Sequence, residues 1–146
     1  MMIHVENGVD PRPLLYFLRE AGIPGSQMIY CHMDRACSEL AWHREIAEAG
    51  AYLEYDTIGR FKYHSDEREL EIIRELVDAG FGGQLLFSLD TTRERLGAYG
   101  GSISLTYLLE TFIPAMKACG ISEEAIRMMA EKNSARALAW RVTENG

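Results

Sequence analysis

The sequence predicts an α/β fold on a parallel sheet, and three observations carry that reading. Short apolar or β-branched runs alternate four times with stretches of helical periodicity. Their spacing, roughly 25 to 33 residues, is that of βα repeats. One run, Leu85-Leu86-Phe87-Ser88-Leu89, is nearly continuous in its hydrophobicity, as suits a strand covered on both faces, and it ends abruptly in Asp90. Four such units make either a small open sheet or half of an eightfold barrel.

Taken in order, Ile3 to Val5 is a short first strand. Asp10-Pro11 opens a helix, with the aspartate as cap and the proline in the first turn, where its missing N–H has no intrahelical partner to lose. Leu14, Leu15, Phe17 and Leu18 form its apolar face, and Gly22-Ile23-Pro24-Gly25 stops it. Met28 to Cys31 is the second strand and runs into His32-Met33-Asp34-Arg35. A helix through Glu39, Leu40, Ile46 and Ala47 ends at Gly50. Ala51 to Tyr55 is the third strand, leading into Asp56 to Tyr63. Ser65 or Asp66 caps the next helix, in which Leu70, Ile72, Ile73 and Leu76 recur at helical spacing, and Gly80 closes it. After the Asp90 strand, Thr91 to Ser104 has no periodicity and carries Gly97, Gly100 and Gly101. A stretch this long inside one domain reads as a mobile functional cover with glycine hinges. Leu105 to Cys119 reads as a helix that Pro114 kinks or interrupts. Ser122 caps an acidic-started helix, and Asn133 caps a last short one ending near Trp140.

The 146 residues are expected to form one domain, residues 1–146, with 47% hydrophobic and 25% charged side chains as in ordinary soluble proteins. A formal charge of −7 argues against nucleic acid or an anionic membrane as the main partner and leaves a small-molecule substrate open. No basic segment followed by an apolar one opens the sequence, so no signal peptide is expected, and no apolar run approaches membrane-span length. Cys31, Cys37 and Cys119 are odd in number and lack zinc-finger or redox spacing, which suits a reducing cytoplasm.

In parallel α/β sheets chemistry gathers at the carboxyl ends of the strands. Here the first strand reaches His4, the second His32, the third Glu54 and Asp56, and the fourth Asp90. Two histidines and a carboxylate at equivalent strand ends are ligand types for zinc or a similar divalent ion. His43, within a helix, and His64, before a cap, read as structural or solvent-facing. Cys31 adjoins His32 on a strand and is expected to face the helix layer, as a buried small hydrophobe. Met116, Met128 and Met129 fall in helical stretches and read as core. Arg60, Lys62 and Arg93 lie in loops on the same rim and could hold a phosphate or carboxylate, although solvated loop charges are the commoner case.

These stretches also carry a resemblance. His4-Val5-Glu6-Asn7-Gly8, Cys31-His32-Met33-Asp34-Arg35, Gly50-Ala51-Tyr52-Leu53-Glu54-Tyr55-Asp56-Thr57-Ile58-Gly59-Arg60 and Ser88-Leu89-Asp90-Thr91-Thr92 resemble the phosphotriesterase-related family of the amidohydrolase superfamily, and the likeness extends to Phe112-Ile113-Pro114 and Asn133. The resemblance implies a (β/α)8 TIM barrel with a two-metal hydrolytic centre, zinc above all, of which these four βα units would be strands five to eight. His4 and His32 would then bind one metal. Asp90 would bind the other and take the proton from the bridging hydroxide. The family's His-x-His of strand one and bridging lysine or glutamate of strand four have no counterpart here. Ester, lactone and phosphoester substrates are all implied. Lys62 and Arg93 match positions that hold the phosphate of sugar lactones in some members, while Leu96 stands where those have a tyrosine. Thr57 stands where members that act on acyl-homoserine lactones have an arginine.

A half-barrel would leave the His4 and Asp90 strands as edges and strip the inward face of its opposing layer. The sequence therefore predicts a homodimer, or pairing with an amino-terminal half-barrel, for a functional hydrolase. The alternative is a non-catalytic split or truncated half that acts only by assembly with another chain.

Overall fold

The computed structural model describes residues 1–36 and 39–139; Cys37 and Trp140 lie outside them. Four strands, β1 (Met2–His4), β2 (Ile29–Cys31), β3 (Tyr52–Tyr55) and β4 (Leu85–Phe87), form one sheet in the order β1-β2-β3-β4. All three pairings are parallel. Among the described residues, β1 and β4 each pair on one side only.

The register sorts the side chains into two faces. Ile3, Tyr30, Leu53 and Leu85 lie abreast and meet the helices. These are α1 (Arg12–Glu20), the short α2 (Met33–Ala36), α3 (Leu40–Glu48) and α4 (Asp66–Asp78). Leu15 of α1, Ile46 of α3 and, one turn apart, Ile73 and Leu76 of α4 are fully buried against that face. Leaving it, the chain turns back at each helix end. Gly25, before β2, sits so close to the α3 terminus that a Cβ there would lie 2.0 Å from the Ala49 carbonyl oxygen. The Gly22-Ile23-Pro24-Gly25 stop is thus also a close-packing contact.

The other face carries Met2, His4, Ile29, Cys31, Tyr52, Glu54 and Leu86. Its middle is not stripped bare, contrary to the expectation for four strands alone. Ile29, Cys31, Tyr52 and Leu86 are buried against one another, with Ala137 of the last helix packed on them, and it is Met2 at the edge that is exposed.

Beyond β4, Arg93–Arg95 and Gly97–Tyr99 form single 3₁₀ turns. Leu96 and Ile103 bridge in parallel, Gly97 N–H donates to the Ile103 carbonyl at 2.8 Å, and Ile103 is buried. The Thr91 to Ser104 stretch thus carries hydrogen bonds of its own and one buried apolar side chain, Ile103. Pro114 does not end its helix. With no N–H at 114 to reach back to residue 110, the chain runs as a π-helix over Leu108–Phe112 and continues as α5 (Ile113–Ala118). Ser65 caps α4 by accepting from Arg68 N–H, and Ser122 caps α6 (Glu123–Arg127) by accepting from Ala125 N–H. Asp10 accepts from Arg12 N–H but lies one residue outside the helix cap, which is Pro11.

Asn133 is not a cap. It begins α7 (Asn133–Leu138) as a continuation of the preceding turns, it is fully buried, and its side-chain amide donates to the carbonyls of Gly82 and Leu85, both at 2.8 Å. One amide thereby ties the last helix to the start of β4. Removing it strands two carbonyls where water does not reach. Asn133→Ala should lower unfolding free energy by about 2–3 kcal/mol, measured by urea titration, and Asn133→Asp, which turns a donor into a third acceptor, should cost more.

Candidate active site

The carboxyl ends of the strands surround a cavity of about 330 Å³ lined by Met2, His4, Cys31, His32, Glu54, Asp56, Ser88 and Asp90. His4 and Cys31 are register partners on β1 and β2, so both face it. Here the expected facing of Cys31 toward the helix layer fails, while its burial among apolar side chains holds. His32 stands just past the end of β2 with φ +63°, a left-handed turn that breaks strand alternation and brings residues 31 and 32 to the same cavity. Burial raises the Cys31 thiol pKa, and Glu54 and Asp56 raise it further.

The His32 turn is held from both sides. Its carbonyl accepts the Ala36 N–H at 2.9 Å, which starts α2, and its own N–H donates to Asp56 Oδ2 at 3.1 Å. Asp56 Oδ1 lies 2.7 Å from His32 Nδ1. A buried carboxylate accepts, so Nδ1 carries the proton and Nε2 presents its lone pair. Burial, ahead of the charge of Asp34, pushes the Asp56 carboxyl up to about 6 against the pull of His32. Asp56 is the residue that sequence reasoning left without a role. Its place at the end of β3, level with His32, was the available signal.

His4 meets His32 edge-on, with His4 Nδ1 2.9 Å from His32 Nε2. On the outer side His4 Nε2 lies 3.1 Å from Glu6 Oε1. Either His4 Nδ1 donates its own proton to the His32 Nε2 lone pair, or, with the His4 proton on Nε2 toward Glu6, the two inner lone pairs face one another and can share a metal ion. Two nitrogens bound at 2.0–2.1 Å to one tetrahedral ion stand about 3.3 Å apart, a few tenths of an ångström from what is found. The pair fits a divalent ion, and Asp56 is placed as the outer carboxylate that orients a ligating imidazole.

Asp90, the second non-glycine residue with positive φ (+37°), ends the β4 segment on the same cavity. Its carboxylate is ion-paired with Arg60. Arg95 donates to the carbonyls of Leu89 and Asp90 and so fixes the strained backbone. Among the described residues the two left-handed non-glycine residues, His32 and Asp90, both lie on the cavity.

The cations divide. Arg60, Phe61, Lys62, Thr92 and Arg95 line an adjoining pocket of about 330 Å³. Arg60 connects it to the first through Asp90. Lys62 also lies 4.6 Å from the Tyr63 ring centre. Arg93 stacks instead over Tyr99, 4.4 Å from its ring centre. Arg95, passed over in the sequence, takes the place beside Lys62, and burial together with Arg60 lowers its pKa.

The two other histidines are not solvent-facing. His43 is buried in α3, its Nδ1 2.6 Å from the Tyr55 hydroxyl. His64 packs between Asp34, Thr57 and Glu69. Burial draws its pKa down, but the Asp34 carboxylate and Ser65 carbonyl outweigh that and leave it raised. Burial, with Asp34, Asp66 and Asp56 adding to it, puts the Glu69 carboxyl well above the usual range. No helix among the described residues is long and apolar enough to cross a membrane.

Comparison with known proteins gives these observations a setting. The phosphotriesterase family profile matches residues 1–138. The phosphotriesterase homology protein of Escherichia coli is 33% identical over 89 residues, 61% of this chain and 30% of that protein. Its crystal structure, with phosphate in the active site, superposes on 92% of this chain and 46% of its own with a TM-score of 0.86 at 29% identity. N-acetyltaurine hydrolase of Bos taurus is 30% identical, covering 92% of this chain and 42% of that protein. Phospho-furanose lactonase of Mycoplasmopsis synoviae is 28% identical, covering 96% and 41%. The chain therefore spans less than half the length of these relatives.

The grip of Asp56 on His32 is open to direct measurement. Asp56→Ala should release the ring, so that nitrogen-15 shifts of His32 change from a single Nδ1–H form to a mixture of tautomers. An unchanged single tautomer would show that Asp56 does not set it.

Proposed function

The chain belongs to the phosphotriesterase family, and from that premise we propose that it is the carboxyl-terminal half, strands five to eight, of a metal-dependent (β/α)8 hydrolase, acting on ester, lactone or phosphoester bonds once further strands complete its barrel. The observation that carries the reading is the meeting of His4 Nδ1 and His32 Nε2 at 2.9 Å over the cavity that Asp90 also lines. His4 and His32 would hold one divalent ion, zinc above all, and Asp90 a second. Bound there, such ions lower the pKa of the attacking water and polarise the scissile oxygen. Asp90 is the proton acceptor at the cavity, and Arg60 beside it holds the carboxylate in place. Asp56 keeps the His32 ring turned toward the ion.

An anionic group on the substrate would sit in the adjoining pocket, where Arg60, Lys62 and Arg95 supply charge. Arg60 Nε and one terminal nitrogen of Arg95 are buried without hydrogen-bond partners, donors that such a group would satisfy. Phosphorylated sugar lactones suit this arrangement, and one relative is named for that substrate. Arg93, stacked on Tyr99, would close over the pocket from its rim.

The second reading, a half that serves only by assembly, is favoured by one observation: β1 and β4 are each paired on one side among the described residues. Both readings predict that the purified chain associates, as a homodimer or with an amino-terminal half-barrel, and light scattering should find it larger than a monomer. Only the first predicts that the completed barrel hydrolyses lactones and loses both metal and turnover in His4→Ala. In that barrel Lys62→Ala and Arg93→Ala should each cut the preference for phosphorylated over plain lactones by roughly tenfold or more. A monodisperse monomer with two tightly held ions and full turnover would overturn the half-barrel reading.

A further inference from the structure

We propose that Asp34, His64 and Glu69 form a second divalent-cation site, separate from the rim histidines, which clips the short helix α2 and the loop after β3 to helix α4. One ligand atom from each of the three lies within 4.8 Å of the other two. The Asp34 side chain is fully buried, that of Glu69 is 1% exposed and that of His64 12%.

A proton inventory of the cluster leaves a positive centre missing. Asp34 Oδ2 accepts both the N–H and the hydroxyl of Thr57, each at 2.6 Å, and Oδ1 accepts Arg35 N–H at 3.0 Å. The single hydroxyl proton of Thr57 is thereby used. His64 Nδ1 lies 3.2 Å from the Ser65 carbonyl, which accepts only, so Nδ1 carries the ring proton. His64 Nε2 then faces three acceptors: Thr57 Oγ1 at 3.0 Å, Glu69 Oε2 at 3.0 Å and Asp34 Oδ2 at 3.7 Å. Both Glu69 carboxylate oxygens are buried and make no hydrogen bond.

A proton is the rival occupant, either a second one on His64 or one on Glu69, whose carboxyl burial holds well above the usual range. Either points along one direction, and the Nε2–Oε2 contact, though 3.0 Å long, is not aligned as a hydrogen bond; Glu69 Oε1 would stay unserved in any case. A divalent ion sits off the line between its ligands and answers all three at once. One imidazole and two carboxylates neutralise its charge and suit zinc or a neighbouring transition ion, with a position left for water. The Ser65 carbonyl on Nδ1 is the outer contact that ligating imidazoles commonly have.

Cobalt(II) titration tests this, with His4→Ala as the working background because the His4 ring is exposed and its loss weakens the rim pair. The His4→Ala chain should still bind about one equivalent, with visible ligand-field bands and a higher melting temperature. Adding Glu69→Gln or His64→Gln should weaken that binding by at least about 100-fold and remove the thermal gain. If the His4→Ala chain binds no cobalt, or if either added variant binds it unchanged, the site does not exist. The first of those outcomes needs no further variant to fold.

Discussion

The Asp56 carboxylate accepts twice from one residue, the backbone N–H and the ring N–H of His32. Most of the cavity depends on that pair of bonds. A left-handed histidine is costly where nothing holds it, and here the same carboxylate that holds the turn also selects the tautomer. The grip reaches across from β3 to β2, so the strand pairing that makes the sheet also delivers the carboxylate. The burial that keeps these bonds from water raises the Asp56 pKa to about 6, and the imidazole works against that rise.

The next residue along, Thr57, does the corresponding work on the other side. Its N–H and hydroxyl both go to Asp34, so two adjacent residues at the end of β3 orient the rim histidine and the Asp34 cluster. Residues 32 to 34 lead from the end of β2 into α2 and residues 56 and 57 are adjacent past the end of β3, so the two clusters are linked on each side by a short, buried stretch of backbone.

The strands, their order of ending in His4, His32 and Asp90, and the serine caps of α4 and α6 were legible because each rests on local periodicity or a local side-chain bond. What escaped reading rests on contacts distant in the chain or on backbone dihedrals. Cys31 was assigned the wrong face because alternation was counted from His32, where the chain has already left the strand; counted from its partner His4 it comes out right. The acceptors that Asn133 serves lie 48 and 51 residues earlier, so a cap was the nearest local explanation for it. His64 had no period to betray it, and its partners come from three different elements. Arg95 differs from Arg93 only in which way a 3₁₀ turn points it.

The all-parallel sheet with its open sides limits how copies could join. Were two copies to complete one barrel, β4 of each would have to run beside β1 of the other, in the same direction at both seams. Only a two-fold axis along the barrel achieves that and closes the ring. The axis would pass through the cavity and repeat everything on its wall, four histidines and four aspartates among it, set opposite each other as equals. Such a centre would have no distinct first and second position, whereas a separate amino-terminal partner would leave the two halves of the wall free to differ.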